Sequence, residues 1–183
     1  NDSGLPFPPD QIQFLRPSSY LIGVDIGSAT LKVVGLRMAP KVSIHFYSII
    51  ELGQGHNDSY IVDAIQKTLN ENKVTAKDAV LTFTDDSTVI RRLELPHVAS
   101  DEIIDALKWQ VKDMVHFDIE KGAIDFELLG EIQREDGAKF MQIIFTVLQK
   151  ESLEKKIQIL KAAGLNVVSV SMPPIGLASI IKI

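Results

Sequence analysis

The stretch YLIGVDIGSATLKVVGLR, from Tyr20 to Arg37, constrains the fold more than any other part of the sequence. Two apolar runs of strand length flank a Gly-Ser-Ala connection, which is typical of a β-hairpin. The first run carries a single carboxylate, Asp25, near the end of a strand that should enter a core. A sheet is therefore predicted to begin here, and the acid within it requires an explanation.

Hydrophobic periodicity predicts a βββαβ block from this hairpin onward. A third strand ends at Leu52, Asp58 or Ser59 caps a helix, and a short buried strand covers 79–84. The helix carries apolar residues at i, i+4 and i+8, namely Ile61, Ile65 and Leu69. We assign residues 1–18 to a proline-rich leader without chemistry and residues 19–87 to the first part of a core domain.

A second block, βαββα, is predicted for residues 88–164. It comprises a strand at Thr88 to Pro96, a helix capped by Ser100, strands at 123–133 and 138–149, and a helix from 150 that stops at Gly164. The apolar stripe of the first helix is Ile103, Leu107, Val111 and Met114. Residues 165–183 then return to the core as a strand and an apolar helix that begins at Pro173. Because this helix would need a further layer to cover it, we expect the chain to be the N-terminal portion of a longer protein or to be completed by another chain.

Composition excludes several classes of function. The chain of 183 residues has 19 Lys and Arg against 24 Asp and Glu without a basic cluster, so a nucleic acid is not an expected partner. The absence of cysteine excludes disulfides and thiolate metal sites. The four histidines lie in unrelated segments without metal-ligand spacing, at positions 45, 56, 97 and 116.

The hairpin offers the groups that bind a nucleotide phosphate tail. Gly27 lets the backbone approach closely, the turn amides and the Ser28 hydroxyl donate hydrogen bonds, and Lys32 supplies a positive charge. Asp25 would hold Mg²⁺ through its water ligands. The spacing alone leaves open a second interpretation, an ordinary hairpin with an edge carboxylate and a solvated lysine.

The order of these segments resembles the PilM family of actin-like type IV pilus proteins, whose relatives are FtsA and GspL. The resemblance runs from Tyr20 to the end of the chain. It rests on YLIGVDIGSATLKVV, AVLTFTDDSTVIRRLELP, SDEIIDALKWQVKDMVHFD, AIDFELLG and KKIQILKAAGLNVVSVSMPPIGLAS. It implies an actin-like (ribonuclease H-like) α/β core, formed by residues 19–87 and 165–183 and interrupted by the inserted subdomain 88–164. It also implies that the second half of the actin-like fold is not part of this sequence.

The sequence departs from the family pattern at four places. The family usually has Pro-Gly-Ser in place of Asp85-Asp86-Ser87, and an aromatic-Pro pair in place of Phe117-Asp118. An acid that is common in the returning strand is missing from Val170-Ser171-Met172, and no second DxG hairpin or Gly-rich adenosine loop is present. We therefore expect ATP and Mg²⁺ to bind the full-length protein, and neither to bind tightly to this chain alone.

The resemblance implies an adaptor at the cytoplasmic side of the inner membrane. Its partner would be the cytoplasmic tail of a PilN-like bitopic protein, bound in a cleft between core and insert, with Arg91 or Arg92 contributing charge. Trp109 points away from the predicted core stripe and either covers the Lys112 stem or contacts a partner. Other platform proteins and a second copy of the chain are further expected partners. The alternative is the N-terminal portion of an ATP-hydrolysing or phosphotransferase member of the actin and sugar kinase superfamily. We do not expect an enzyme, because no His or carboxylate has the sequence context of a catalytic base.

Overall fold

The computed structural model describes residues 20–83 and 85–173. By its internal contacts the chain divides into two compact units. We call residues 20–83 and 153–173 the core unit and Asp85–Ser152 the insert unit. The predicted leader and most of the predicted last helix lie outside the described residues.

The described residues form eight strands and three α-helices. In chain order they are β1 (Tyr20–Ile26), β2 (Thr30–Arg37), β3 (Ser43–Glu51), α1 (Asp58–Glu71), β4 (Asp78–Thr82), β5 (Val89–Pro96), α2 (Ile103–Val111), β6 (Gly122–Gln133), β7 (Lys139–Gln149), α3 (Lys150–Ala162) and β8 (Asn166–Ser171). A short 3-10 turn at Ile119–Lys121 precedes β6. The predicted element order and types are confirmed over this range.

The core unit is built on a five-stranded sheet with the strand order β3-β2-β1-β4-β8. The first three strands form the predicted antiparallel meander, with β1 and β2 side by side. The strands β4 and β8 then extend the sheet in parallel with β1. The carboxyl ends of β1, β4 and β8 therefore meet at one edge, where ligands of open α/β sheets commonly bind.

One face of this sheet is the core of the unit. Alternate residues of β1 and β2 are almost fully buried, among them Ile22, Val24, Leu31 and Val33. The helix α1 buries the predicted stripe of Ile61, Ile65 and Leu69. Its N-cap is Asn57 and not Asp58 or Ser59, because the Asn57 side chain accepts a hydrogen bond from the Tyr60 amide at 2.9 Å.

From Leu153 onward the helix α3 belongs to the core unit, although the sequence assigned residues 88–164 to the insert. Lys155 pairs with Asp58 of α1 at 3.4 Å, and the Gln66 side-chain amide donates to the Ala162 carbonyl at 3.4 Å. The helix ends at Gly164 in the predicted left-handed conformation, with φ at +87°. Periodicity located the helix and its end correctly but could not show which sheet it covers.

The insert unit has its own antiparallel sheet, in the order β5-β7-β6, and does not continue the first sheet. The helix α2 buries Ile103, Leu107 and Val111 in the cluster that covers this sheet. The predicted cap at Ser100 is wrong, because α2 begins after Glu102. Met114 also does not extend the stripe, since it lies beyond the helix end and is 44% exposed.

An ion pair joins α2 to the 3-10 turn of the insert unit. Lys108 Nζ donates to Glu120 Oε2 at 2.8 Å. This hydrogen bond raises the pKa of Lys108 above its ordinary value, against a smaller opposing effect of desolvation. The lysine is therefore protonated throughout the physiological pH range.

We predict that Gly35→Ala destabilises the core unit by about 1–3 kcal/mol, as expected for overpacking. A Cβ at Gly35 would lie 2.1 Å from a ring carbon of Phe46, which is itself buried. Urea unfolding followed by circular dichroism measures the change. Gly53→Ala is the matched control, because nothing lies within 4 Å of the added methyl group. Equal midpoints for the two variants would contradict the proposed close contact of Phe46 with Gly35.

Candidate functional site

The β1–β2 hairpin places Asp25 directly opposite Lys32. Lys32 Nζ donates to Asp25 Oδ2 at 2.8 Å. The Asp25 side chain is 21% exposed and the Lys32 side chain 53% exposed. The lysine charge therefore lies at the mouth of the site, where it is paired with the carboxylate and remains accessible to an anion.

The second carboxylate oxygen of Asp25 is the strongest indication of a ligand at this site. Oδ1 is buried and has no hydrogen-bond partner among the described residues. An unsatisfied buried acceptor costs about 1–3 kcal/mol, so such atoms usually bond to water, an ion or a ligand. A water molecule bound to Mg²⁺ is a donor that fits this oxygen, since Mg²⁺ keeps much of its hydration shell.

The turn that follows brings the backbone close to the same place. The Gly27 amide donates to the Thr30 carbonyl at 3.0 Å. A Cβ at Gly27 would lie 3.1 Å from that carbonyl oxygen, so glycine suits this position. Ser28 is exposed at the tip of the turn. The structure thus brings Asp25, Gly27, Ser28 and Lys32 together in a single hairpin.

Two further polar residues lie in register with Asp25 on neighbouring strands. Thr82 of β4 pairs with Asp25, and Ser171 of β8 pairs with Thr82. With Lys32 they form a polar row across β2, β1, β4 and β8. Each of Thr82 and Ser171 is the last residue of its strand. The sequence shows polar strand ends, but the pairing of these distant strands was needed to bring them together.

Lys156 of α3 adds a second cation at the end of β1. Its Nζ donates to the Ile26 carbonyl at 2.8 Å and lies 4.9 Å from the centre of the Phe83 ring. The lysine thus holds the carbonyl of the residue between Asp25 and Gly27. No sequence signal distinguished it from its neighbours in a helix rich in lysine.

The predicted partner residues lie on separate elements of the insert unit. Arg91 and Arg92 are exposed neighbours on β5, so their side chains leave opposite faces of the sheet. Trp109 of α2 is 75% exposed, and Lys112 Nζ lies 4.0 Å from the centre of its ring. The structure shows the contact between the indole and Lys112, which was the simpler of the two sequence interpretations. It brings neither arginine into a ring contact with Trp109 in the described part of the insert.

The segment Asp85-Asp86-Ser87, which stands where the family usually has Pro-Gly-Ser, has a structural role in the insert unit. Asp85 Oδ1 accepts hydrogen bonds from the Ser87 amide at 2.8 Å and the Ser87 hydroxyl at 2.5 Å. Asp85 Oδ2 accepts from the Ser152 hydroxyl at 2.6 Å. Because the insert unit runs from Asp85 to Ser152, this carboxylate ties its two chain ends together.

We predict that Asp85→Ala lowers the free energy of unfolding by about 1–3 kcal/mol, because three donors lose their charged acceptor. Asp86→Ala is the control, since Asp86 is exposed and a surface change of this kind stays within about 0.5 kcal/mol. Chemical denaturation of both variants provides the measurement. An Asp85→Ala midpoint equal to that of Asp86→Ala would show that the three bonds do not stabilise the unit.

The described residues contain neither a membrane-spanning helix nor a cluster of metal-binding side chains. None of their helices is long and apolar enough to cross a bilayer. Across 20–83 and 85–173, no three His, Asp or Glu side chains come together in a way that could hold a metal ion. A cation at Asp25 would consequently depend on water and on a ligand's own oxygens.

Comparison with known proteins assigns the chain to a family. The sequence profile for "Type IV pilus assembly protein PilM" matches residues 23–174. Among solved structures, the chain is similar to one in a "PilM-PilN type IV pilus biogenesis complex", with a TM-score of 0.70 and 19% identity. The match covers 84% of this chain and 47% of that one.

A second similar structure is the cytoplasmic domain of EpsL, an inner-membrane component of the type II secretion system of Vibrio cholerae. Its TM-score is 0.60 at 14% identity, over 84% of this chain and 57% of that one. The chain thus spans about half the length of these relatives, and the fold that it shares with them is actin-like. Because the profile covers most of the sequence, the chain belongs to the PilM family of type IV pilus assembly proteins.

Proposed function

We propose that the chain is part of an actin-like adaptor of a type IV pilus or related secretion platform, and that it binds the cytoplasmic tail of a PilN-like bitopic membrane protein. The observation that carries the proposal is membership of the PilM family, together with similarity to a chain from a PilM-PilN complex. The adaptor would then lie at the cytoplasmic face of the inner membrane through its partner.

The strand β5 is the part of the insert unit that suits an extended peptide. Among the strands that the structure describes, it is an edge strand of its sheet, with β7 on one side. The His97 amide donates to the Lys139 carbonyl, so alternation directs the backbone of Leu95, Leu93 and Arg91 toward β7. The amides of Ile90, Arg92 and Glu94 then face the free edge, where an added strand would find them.

Charges on β5 could select the peptide. Arg91 already donates to the Ile90 carbonyl at 3.0 Å, so it competes for one acceptor of the free edge. Arg92 has no such bond in the described structure and lies on the opposite face of the sheet. We therefore propose that Arg92 is the more important of the two for an acidic residue of the tail.

Titration of a peptide with the sequence of a PilN-like cytoplasmic tail tests this proposal. In NMR spectra, the amides of Ile90, Arg92 and Glu94 should shift and become protected from exchange, because they gain carbonyl partners. Arg92→Glu should weaken the affinity by at least about tenfold through like-charge repulsion.

Arg91→Glu is the matched control on the other face, and it should weaken binding less than Arg92→Glu. Trp109 fluorescence reports separately on the outer side of α2. Shifts confined to α2 around Trp109, with an unchanged β5, would contradict peptide addition at this edge.

We further propose that the hairpin is half of an ATP site that a second half completes in the full-length protein. The residues that would hold Mg²⁺ and the phosphates are Asp25, Gly27, Ser28 and Lys32, supported by the unpartnered Oδ1 of Asp25. ATP supplies no chemistry to this proposed adaptor, and it would order the hairpin and the half that faces it. The alternative is a hydrolase or a phosphotransferase. Such an enzyme would need a positioned base at the end of the sheet where Asp25 lies. The described residues that pair in line with Asp25 there are Thr82 and Ser171, which carry hydroxyl groups.

We predict that MgATP binds this chain more weakly than micromolar and is not hydrolysed. A triphosphate held on one side keeps its other side in water, where each contact competes with solvent. Isothermal titration calorimetry measures the affinity, and phosphate release measures hydrolysis. Micromolar binding by residues 1 to 183 that is abolished by Asp25→Ala would show instead that a single hairpin suffices.

A further inference from the structure

The last carbonyl of β1 lies at the end of the pairing between β1 and β4. The Gly27 amide donates to the Thr30 carbonyl at 3.0 Å, so alternation directs the backbone of Gly27 toward β2 and the backbone of Ile26 toward β4. The described pairing of β1 with β4 ends at Asp25 and Thr82, one residue before Ile26. The Ile26 carbonyl therefore lies past the last described pair, and there a side chain donates to it.

Lys156 of α3 is this donor. Its Nζ lies 2.8 Å from the Ile26 carbonyl oxygen, in a partly buried bond between residues separated by 130 positions in the sequence. The same ammonium group lies 4.9 Å from the centre of the Phe83 ring, just after β4. A hydrogen bond from a charged donor is roughly twice as strong as one between neutral groups. The end of β1 is therefore held by a helix that is distant in the sequence.

Two hydrogen bonds hold the peptide group between Ile26 and Gly27 from opposite sides. Lys156 binds its carbonyl oxygen, and the Thr30 carbonyl binds its amide. Because a peptide group is planar, fixing both its oxygen and its amide fixes its orientation. Rotation of this plane would change ψ of Ile26 and φ of Gly27, and glycine restricts φ less than any other residue. Lys156 thus removes the freedom that Gly27 brings to the base of the turn.

The orientation of this peptide determines where the polar groups on both sides of it lie. Asp25 comes directly before Ile26, and the amides of Ser28 and Ala29 follow Gly27. In the described part of the protein, these two amides make no hydrogen bond to another backbone group. Successive free amides of a turn commonly bind the oxygens of an anion. A change in the peptide at the base of the turn would move these amides relative to the carboxylate.

We propose that Lys156 is a positioning residue of the hairpin. By holding the peptide between Ile26 and Gly27, it keeps the free amides of the turn and the Asp25 carboxylate in the arrangement that binds hydrated Mg²⁺ with a polyphosphate. The inference rests on the proposed half of an ATP site, and it adds to that site a residue from another element of the fold. Lys156 acts on the ligand through the backbone of the turn.

Amide hydrogen exchange of the 183-residue chain without ligand tests the positioning itself. Lys156→Met keeps the length of the side chain and removes the donor, so it should raise the exchange rate of the Gly27 amide at least about tenfold. The Val24 amide in the middle of β1 should keep its rate. Lys156→Arg retains a charged donor and should restore most of the protection at Gly27. Equal acceleration at Gly27 and Val24 would indicate a general loss of stability and would overturn the proposal.

NMR titration with inorganic tripolyphosphate in the presence of Mg²⁺ tests the consequence for binding. In the unchanged chain the amides of Ser28 and Ala29 should shift, with a dissociation constant weaker than micromolar. Lys156→Met should raise this dissociation constant at least about fivefold, because part of the binding energy must then be used to order the turn. Lys156→Arg should return it to within about twofold of the original value.

Lys155→Met is the matched control for both measurements. It removes the same charge from the neighbouring position of α3, but Lys155 is exposed and pairs with Asp58 at 3.4 Å instead of with the hairpin. The exchange rate of the Gly27 amide and the dissociation constant for tripolyphosphate should both stay unchanged in this variant. Equal effects of Lys155→Met and Lys156→Met would show that the charge of α3 matters and the bond to Ile26 does not, which would overturn the proposal.

Two outcomes separate a failure of this proposal from a failure of the proposed ATP site. If tripolyphosphate shifts the hairpin amides equally in the unchanged chain and in Lys156→Met, the role of Lys156 is overturned and the proposed site stands. If the hairpin amides of the unchanged chain do not respond to tripolyphosphate, the proposed site is wrong. The assignment of Lys156 to a phosphate ligand is then overturned with it, even where exchange at Gly27 depends on the lysine.

Discussion

The register of the β1–β2 hairpin is the constraint on which the core unit depends. Seven consecutive residue pairs, from Tyr20 with Arg37 to Ile26 with Leu31, fix which side chains face the core. A slip of one residue would carry Ile22 and Val24 to the other face, exposing the apolar set that is buried here. The same register places Asp25 opposite Lys32, so the candidate site and the core are determined by one set of backbone hydrogen bonds.

Elements that depend on local pattern could be predicted from the sequence, whereas relations between distant segments could not. The hairpin, the stripe of Ile61, Ile65 and Leu69 in α1, and the cap at Gly164 follow from periodicity and turn chemistry. The place of α3 in the core unit and the alignment of Thr82 with Ser171 arise only when segments distant in the sequence come together. The same holds for Lys156, whose bond to the Ile26 carbonyl spans most of the chain.

A local irregularity in β3 produces an exposed surface that periodicity in the sequence does not predict. Strict alternation through the run from Val42 to Ile49 would divide its apolar residues between two faces. The bulge at His45 instead puts Ile44 on the same face as Tyr47 and Ile49, where the three form a row of exposed apolar side chains, while the Phe46 ring packs against Gly35 on the other face. The small residue on β2 and the aromatic residue on β3 thus determine the exposed row together, and neither signal is sufficient alone.

Stability alone would not favour Asp25. The residue lies in a strand whose neighbours Val24 and Ile26 are buried, and one of its oxygens is buried with no hydrogen-bond partner among residues 20–83 and 85–173. Its pair with Lys32 contributes little in compensation, because the lysine is half exposed and exposed ion pairs are typically worth about 1 kcal/mol or less. An apolar β-branched residue would suit the strand at least as well. A ligand that satisfies Oδ1 would account for the carboxylate where stability does not, and this is the reason for our proposal that hydrated Mg²⁺ with a phosphate tail binds at this hairpin.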